Sequence, residues 1–196
     1  MRDAKSERGA GLRSLTPHPA SRTPARFYNH EVSSEQHRAT SPRAVRAFVI
    51  TISDSRTRET DTSGDAICSL LTEAGHQLLG RTLVKDDPER VQQAIADRPA
   101  ETQIVIANGG TGITSRDSTY EAITALFDKR LDGFGELFRM LSYEEIGSAA
   151  MLSRACAGTV GRTAVFSLPG SEHAVRLAMT KLILPELGHV VRELNR

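Results

Sequence analysis

The amino-acid sequence predicts a three-layer, doubly wound α/β domain: a mostly parallel sheet with helices on both faces. Three observations carry that expectation. Short runs of branched apolar residues alternate along the chain with stretches of helical periodicity, the pattern of a parallel sheet and its crossovers. The run at Ala44–Ser53 is apolar and β-branched, as a central strand covered on both faces is. Each run is followed by a polar loop bearing aspartate or glycine. Right-handed crossovers would gather those loops at the carboxyl edge of the sheet, where ligands of such sheets bind.

The alternating pattern begins at about Arg43. Residues 1–42 hold four of the eight prolines (Pro17, Pro19, Pro24, Pro42), many Ser, Thr and Arg, and no hydrophobic periodicity. Such a segment buries too little apolar surface to offset its ordering entropy. The expected organisation is a disordered tail over 1–42 and one domain over 43–196. The tail's Arg-rich character faintly resembles a transit peptide, but Asp3 and Glu7 lie near its start and no amphipathic stripe is visible.

Ala44–Ser53, with Val45, Phe48, Val49, Ile50 and Ile52, reads as a central strand. Thr62–Gly75 follows as a helix, with Thr62 or Ser63 as its cap and Gly75 as its end. Gln77–Val84 reads as a strand, Pro88–Arg98 as a helix with proline in its first turn, and Gln103–Ala107 as a third strand. Ser118–Phe127 and the longer Phe134–Leu152 read as helices. Thr163–Leu168 reads as a late strand, and Ser171–Leu184 as a helix continuing past Pro185 to Leu194.

Composition narrows the function. Of 196 residues 39% are hydrophobic and 25% charged, enough for a real core, and no apolar run approaches the roughly 20 residues of a membrane-spanning helix. The net charge of +1 hides an asymmetry. Residues 1–43 carry 8 Arg or Lys against 4 Asp or Glu, and the remainder carries 17 against 20. A slightly acidic domain argues against nucleic acid as its main partner. Cys68 and Cys156 match no metal or redox spacing, so they read as reduced thiols in a cytoplasmic setting. His76, His173 and His189 are isolated, and no serine occupies a nucleophile elbow.

The strongest feature is Asn108-Gly109-Gly110-Thr111-Gly112-Ile113-Thr114-Ser115-Arg116-Asp117. Three glycines in four positions after a buried strand let the backbone approach a ligand and turn successive N–H groups inward as an anion nest. It is neither a P-loop nor a dinucleotide fingerprint. Acidic groups end three different strands: Asp54, Asp86 with Asp87, and Asp117. One or two carboxylates, completed by water and phosphate, is how Mg²⁺ is usually held. Any single Asp can equally be a cap or turn residue, and Asp87 before Pro88 reads as one. A third set is Ser153-Arg154 and Ser167-Leu168-Pro169-Gly170-Ser171. Arg154 reads either as a phosphate clamp or as a loop arginine, and Pro169-Gly170-Ser171 either as an anion turn or as an ordinary cap.

Thr51-Ile52-Ser53-Asp54, Asp86, Gly109-Gly110-Thr111-Gly112, Arg116-Asp117 with Thr119 and Glu121, Ser153-Arg154 and Pro169-Gly170 stand in the order and spacing of the MoaB/MogA family. The resemblance covers about Arg43 to Arg196. It implies molybdopterin binding at the carboxyl edge, assembly into trimers or dimers of trimers, and in active members molybdopterin adenylyltransfer. The terminal phosphate of molybdopterin attacks the α-phosphate of Mg-ATP and pyrophosphate leaves. Asp86 and Asp117 correspond to the functional aspartates and are also the expected Mg²⁺ ligands. Ser53, Asp54, Gly109, Gly110, Thr111, Gly112, Arg116, Ser153, Arg154, Pro169, Gly170 and Ser171 are the expected substrate contacts. The chain departs from many active members at Lys85, Tyr120 and Glu172-His173. Its Phe134–Gly147 segment resembles the MoaB side, so a non-catalytic molybdopterin carrier stands beside the enzyme as the alternative.

Overall fold

The computed structural model describes residues 41–114 and 117–196. The expected tail therefore lies almost wholly outside the described residues, as do Ser115 and Arg116.

The elements follow in chain order as β1 Arg46–Ile52, α1 Thr62–Glu73, β2 Gln77–Val84, α2 Pro88–Ala96, β3 Ile104–Asn108 and α3 Thr119–Thr124. After them come β4 Lys129–Arg130, α4 Asp132–Ile146, β5 Cys156–Val160, β6 Thr163–Leu168, α5 Glu172–Ala178 and α6 Leu184–Leu194. One six-stranded sheet has the order β2-β1-β3-β6-β5-β4. β2, β1, β3 and β6 are parallel, while β5 and β4 extend the sheet antiparallel.

Period-two alternation splits the sheet into two covered faces. Val49, Ile104, Ile106, Ala164, Phe166 and Leu168 pack on one side with α1, α4, α5 and α6 residues such as Ile67, Phe138, Val175 and Leu187. Ile50, Ile52, Val105, Ala107 and Val165 pack on the other with Val91, Ile95 and Ile123 of α2 and α3. The doubly wound expectation holds.

Four local expectations need correction. Asp61, not Thr62 or Ser63, caps α1: its side chain accepts from the Gly64 N–H. β4 and β5 were not expected. β5 reads Cys-Ala-Gly-Thr-Val, whose small residues hide a strand that is nevertheless buried over its first four positions. The helix expected over Phe134–Leu152 stops at Ile146, because Gly147 turns to φ +63 and a 3₁₀ segment, Gly147–Leu152, follows. The helix expected over Ser118–Phe127 forms only over Thr119–Thr124. The helix carried past Pro185 does continue. A π-helical turn, Met179–Ile183, precedes α6, and Pro185 falls in the first turn of α6, where a missing N–H is tolerated.

The described chain enters alongside α6. A Cβ on Gly188 would lie 2.5 Å from the Pro42 carbonyl oxygen, so glycine there lets the two backbones touch.

Candidate functional site at the carboxyl edge

The chain leaves β1 in one direction, through α1 to β2, and then returns past β1 to β3 on its other side. The crossovers diverge between β1 and β3, which makes the gap between their carboxyl ends the natural ligand crevice of this sheet. Ser53-Asp54 end β1, Lys85-Asp86 end β2, Asn108-Gly109 end β3 and Pro169-Gly170 end β6.

The glycine-rich turn is pressed into that crevice. Gly109 lies at φ +108, and any Cβ there would collide with the Ile52 carbonyl oxygen. Its N–H donates to the Leu168 carbonyl at 3.0 Å. Gly110, at φ +61, faces Thr119 Oγ1 and Asp86 Oδ2, again leaving no room for a Cβ. Gly170 packs on Gly109: a Cβ there would sit 3.3 Å from the Gly109 Cα. The backbone thus adopts shapes that only glycine takes cheaply, at a place where a side chain would also fill the crevice.

Asp86 is held by the start of α3. Its Oδ1 accepts from the Ser118 N–H (3.4 Å), the Ser118 hydroxyl (3.2 Å) and the Thr119 hydroxyl (3.0 Å). Its own N–H donates to Asp54 Oδ1 at 3.3 Å, while Lys85 Nζ donates to the Asp54 carbonyl. Asp86 Oδ2 accepts no hydrogen bond from the described residues and faces the bare Cα of Gly110. Asp117 Oδ2 accepts from the Thr114 N–H (2.9 Å) and the Thr114 hydroxyl (2.6 Å). Those bonds, with nearby Arg154, hold its carboxyl below the usual range. Among the described residues no group of three or more His, Cys, Asp and Glu could hold a metal ion.

Arg154 connects the parts. Its Nε donates to the Thr111 carbonyl and its Nη2 to the Asp117 carbonyl, both at 3.2 Å, and its Nη1 pairs with Glu121. Its guanidinium carbon lies 5.1 Å from the Tyr120 ring centre. With a protein partner at each of its three nitrogens, Arg154 braces the loop. Ser153 borders a neighbouring cavity with Arg154. Ser171 caps α5 by accepting from the Ala174 N–H at 3.2 Å, and Asp87 caps α2 through the Arg90 N–H at 3.0 Å.

Beneath the crevice lies a polar cluster that the sequence reading missed. Asp61, fully buried, meets Arg81 and Arg56. The Ser63 hydroxyl lies 2.9 Å from Asn108 Oδ1 and 3.1 Å from Asp61 Oδ1. Asn108 Nδ2 donates to Thr51 Oγ1 at 3.1 Å, and Arg56 Nη2 reaches the Gly170 carbonyl at 2.8 Å. Burial alone would raise the Asp61 pKa. Hydrogen bonds from Thr51, the Gly64 N–H and Arg81 outweigh it and hold the carboxyl low. The cluster locks β1, α1, β3 and the Pro169-Gly170 turn together. In the sequence, Thr51 and Asn108 are polar positions at the ends of apolar strands, while Arg56 and Asp61 stand in a polar loop, and no local pattern links them. Cys68 and Cys156 are free, and burial pushes the Cys156 thiol up to about 11, which keeps it protonated.

A family model described as "Probable molybdopterin binding domain" matches residues 48–189. The chain is 56% identical over 168 residues to molybdenum cofactor biosynthesis protein B of Bacillus cereus, covering 84% of this chain and 99% of that protein. A crystal structure of molybdenum cofactor biosynthesis protein B, 58% identical, superposes with a TM-score of 0.77 over 80% of this chain and 99% of the other. The tungsten cofactor synthesizing protein MoaB from Pyrococcus furiosus, 38% identical, gives 0.72 over 80% and 100%.

Proposed function

The chain belongs to the molybdopterin-binding domain family and is a molybdenum cofactor biosynthesis protein, and on that premise we propose that its carboxyl-edge site binds molybdopterin and adenylylates it with Mg-ATP. An oxygen of the molybdopterin terminal phosphate attacks the α-phosphorus of ATP, the bond from that phosphorus to the bridging oxygen breaks, and pyrophosphate leaves with the electron pair. The observation that carries this reading is Asp86. Ser118 and Thr119 fasten one carboxylate oxygen, and the other faces Gly110 of the anion turn.

In such a transfer the protein supplies position and charge compensation rather than covalent chemistry. The N–H groups of Gly110 and Thr111 receive phosphate oxygens within the Gly109–Gly112 turn, whose Gly109 N–H is held by the Leu168 carbonyl. Asp86 and Asp117 meet the Mg²⁺ that comes with ATP. Arg154 keeps the turn in place. Ser53, Asp54, Arg116, Ser153, Pro169, Gly170 and Ser171 complete the proposed contact set. The working assembly is a homotrimer or dimer of trimers in the cytoplasm. An exposed apolar face supports the assembly: Leu137, Met140, Tyr143, Ile146, Met151 and Leu152 are each at least 48% accessible.

The second reading, a carrier that binds without turnover, rests on the MoaB-like Phe134–Gly147 segment. Incubation with molybdopterin and Mg-ATP, assayed for adenylylated molybdopterin and pyrophosphate, decides. Product supports adenylyl transfer, and binding without product supports the carrier.

A further inference from the structure

Arg154, which braces the Thr111 carbonyl of the glycine-rich turn, also lines with Ser153 a cavity of about 500 Å³ whose other walls include Tyr120, Arg130, Gly135 and Arg139. We propose that this cavity is a second oxyanion subsite, read by the Arg139 guanidinium and taking the phosphate or pyrophosphate group of a small molecule.

Three arginines line the cavity, and they differ in what already occupies them. Arg154 has a protein partner at each nitrogen. Arg130 donates from Nε to Asp132 at 2.9 Å and from Nη2 to the Tyr120 hydroxyl at 3.3 Å. Arg139, half-buried on α4, makes one bond, from Nη1 to the Ala155 carbonyl at 3.3 Å. Among the described residues it has no ion pair. A guanidinium carries five N–H donors, and a half-buried one with most of them unused is poised for an anion.

The helix is built around that guanidinium. Gly135 stands one turn before Arg139 on the same face. A Cβ at 135 would lie 2.9 Å from Arg139 Nη1, 3.0 Å from its Nη2 and 2.8 Å from the Ala155 carbonyl oxygen. Glycine weakens a helix interior relative to alanine, and here its bare surface lets the planar fork lie against the cavity wall. Two carboxylates also line the space. Asp132 is engaged by Arg130, and Glu136 is solvent-exposed. The volume lies within the range of small-molecule sites and exceeds what a bare ion needs. A planar fork pairs with two oxygens of one phosphate.

The subsite does not depend on the adenylyl-transfer reading, since it needs binding and no turnover. The test is calorimetric titration of the full chain with inorganic pyrophosphate at low salt, comparing wild type, Arg139→Gln, Arg139→Lys and Gly135→Ala. Thermal melts should first show that Arg139→Gln folds as the wild type does. Two binding events are expected in the wild type. Arg139→Gln should weaken one of them at least tenfold and leave the other, Arg139→Lys should recover part of the loss, and Gly135→Ala should follow Arg139→Gln. Repeating the comparison with ATP and with molybdopterin shows which one supplies the phosphate, and a selective loss for either supports the subsite. Unchanged pyrophosphate binding in Arg139→Gln overturns it. So does a fall in sedimentation coefficient with binding intact, which would assign Arg139 to a contact between copies. A wild type that never forms product leaves this comparison standing.

Discussion

Asp61 and Asp86 each stand in the loop after a parallel strand, and each receives several hydrogen bonds, yet the protein treats them in opposite ways. Asp61 is fully buried and sits between two arginines, Arg56 and Arg81. Asp86 is half-exposed and meets neutral donors: Ser118, Thr119 and a backbone N–H. The difference lies in the counter-charge. A carboxylate already flanked by guanidinium groups has its field cancelled locally and holds elements together. A carboxylate fixed by neutral hydroxyls has no counter-charge among those partners, and the proposed handling of a metal-bound nucleotide would draw on that.

Four measurements can break or sharpen that comparison. Asp61→Ala should have the largest effect, on the order of 3–5 kcal/mol of stability, because it strands buried arginine charge, and denaturant unfolding would read it. Its pH dependence has a definite sign. The folded pKa lies below the unfolded one, so the contribution is present above the ordinary carboxyl range and lost as pH falls through the folded value. The acid limb of the stability profile should therefore be shallower in the variant, and an identical limb would contradict the assignment. Asp86→Asn and Asp117→Asn should each cost roughly a hundredfold in adenylyl transfer, about 3 kcal/mol. Their unfolding midpoints should stay close to wild type, and wild-type turnover in both would remove the catalytic assignment. Ser153→Ala should weaken molybdopterin binding by about 1 kcal/mol, the size of one neutral hydrogen bond, as equilibrium binding would show. Removing residues 1–40 should change least, with melting temperature and oligomeric state as in the full chain. A marked fall in melting temperature would show that the segment packs on the domain.

What was legible in the sequence followed from periodicity. The four parallel strands and their covering helices carry apolar alternation or unbroken branched runs, and those signals are local. β5 escaped because its residues are small and its strand character comes from pairing with β6, which is not local. The glycine turn and the end-of-strand aspartates were legible because loops after parallel strands converge by topology alone. The Asp61 cluster was not, since nothing along the chain announces that Arg56, Arg81, Ser63 and Asn108 meet. Nor was the division of labour among Arg130, Arg139 and Arg154, which depends on which carbonyls and carboxylates lie within reach.

The contact between Pro42 and Gly188 fixes where the polypeptide enters the domain, and β1 begins only four residues later, at Arg46. That start is at the amino edge of the sheet, while the crevice lies beyond Ile52 at the far end of the same strand. Seven residues of strand at about 3.3 Å each separate them by roughly 20 Å. An affinity handle, a fluorophore or a surface linker joined directly to residue 41 of a chain shortened to that point starts on the side of the molecule away from the ligand crevice. Arg162, in the turn between β5 and β6, bonds Asn195 at 2.7 Å, so the carboxyl terminus lies at that same edge, and immobilisation at either of these points leaves the crevice open.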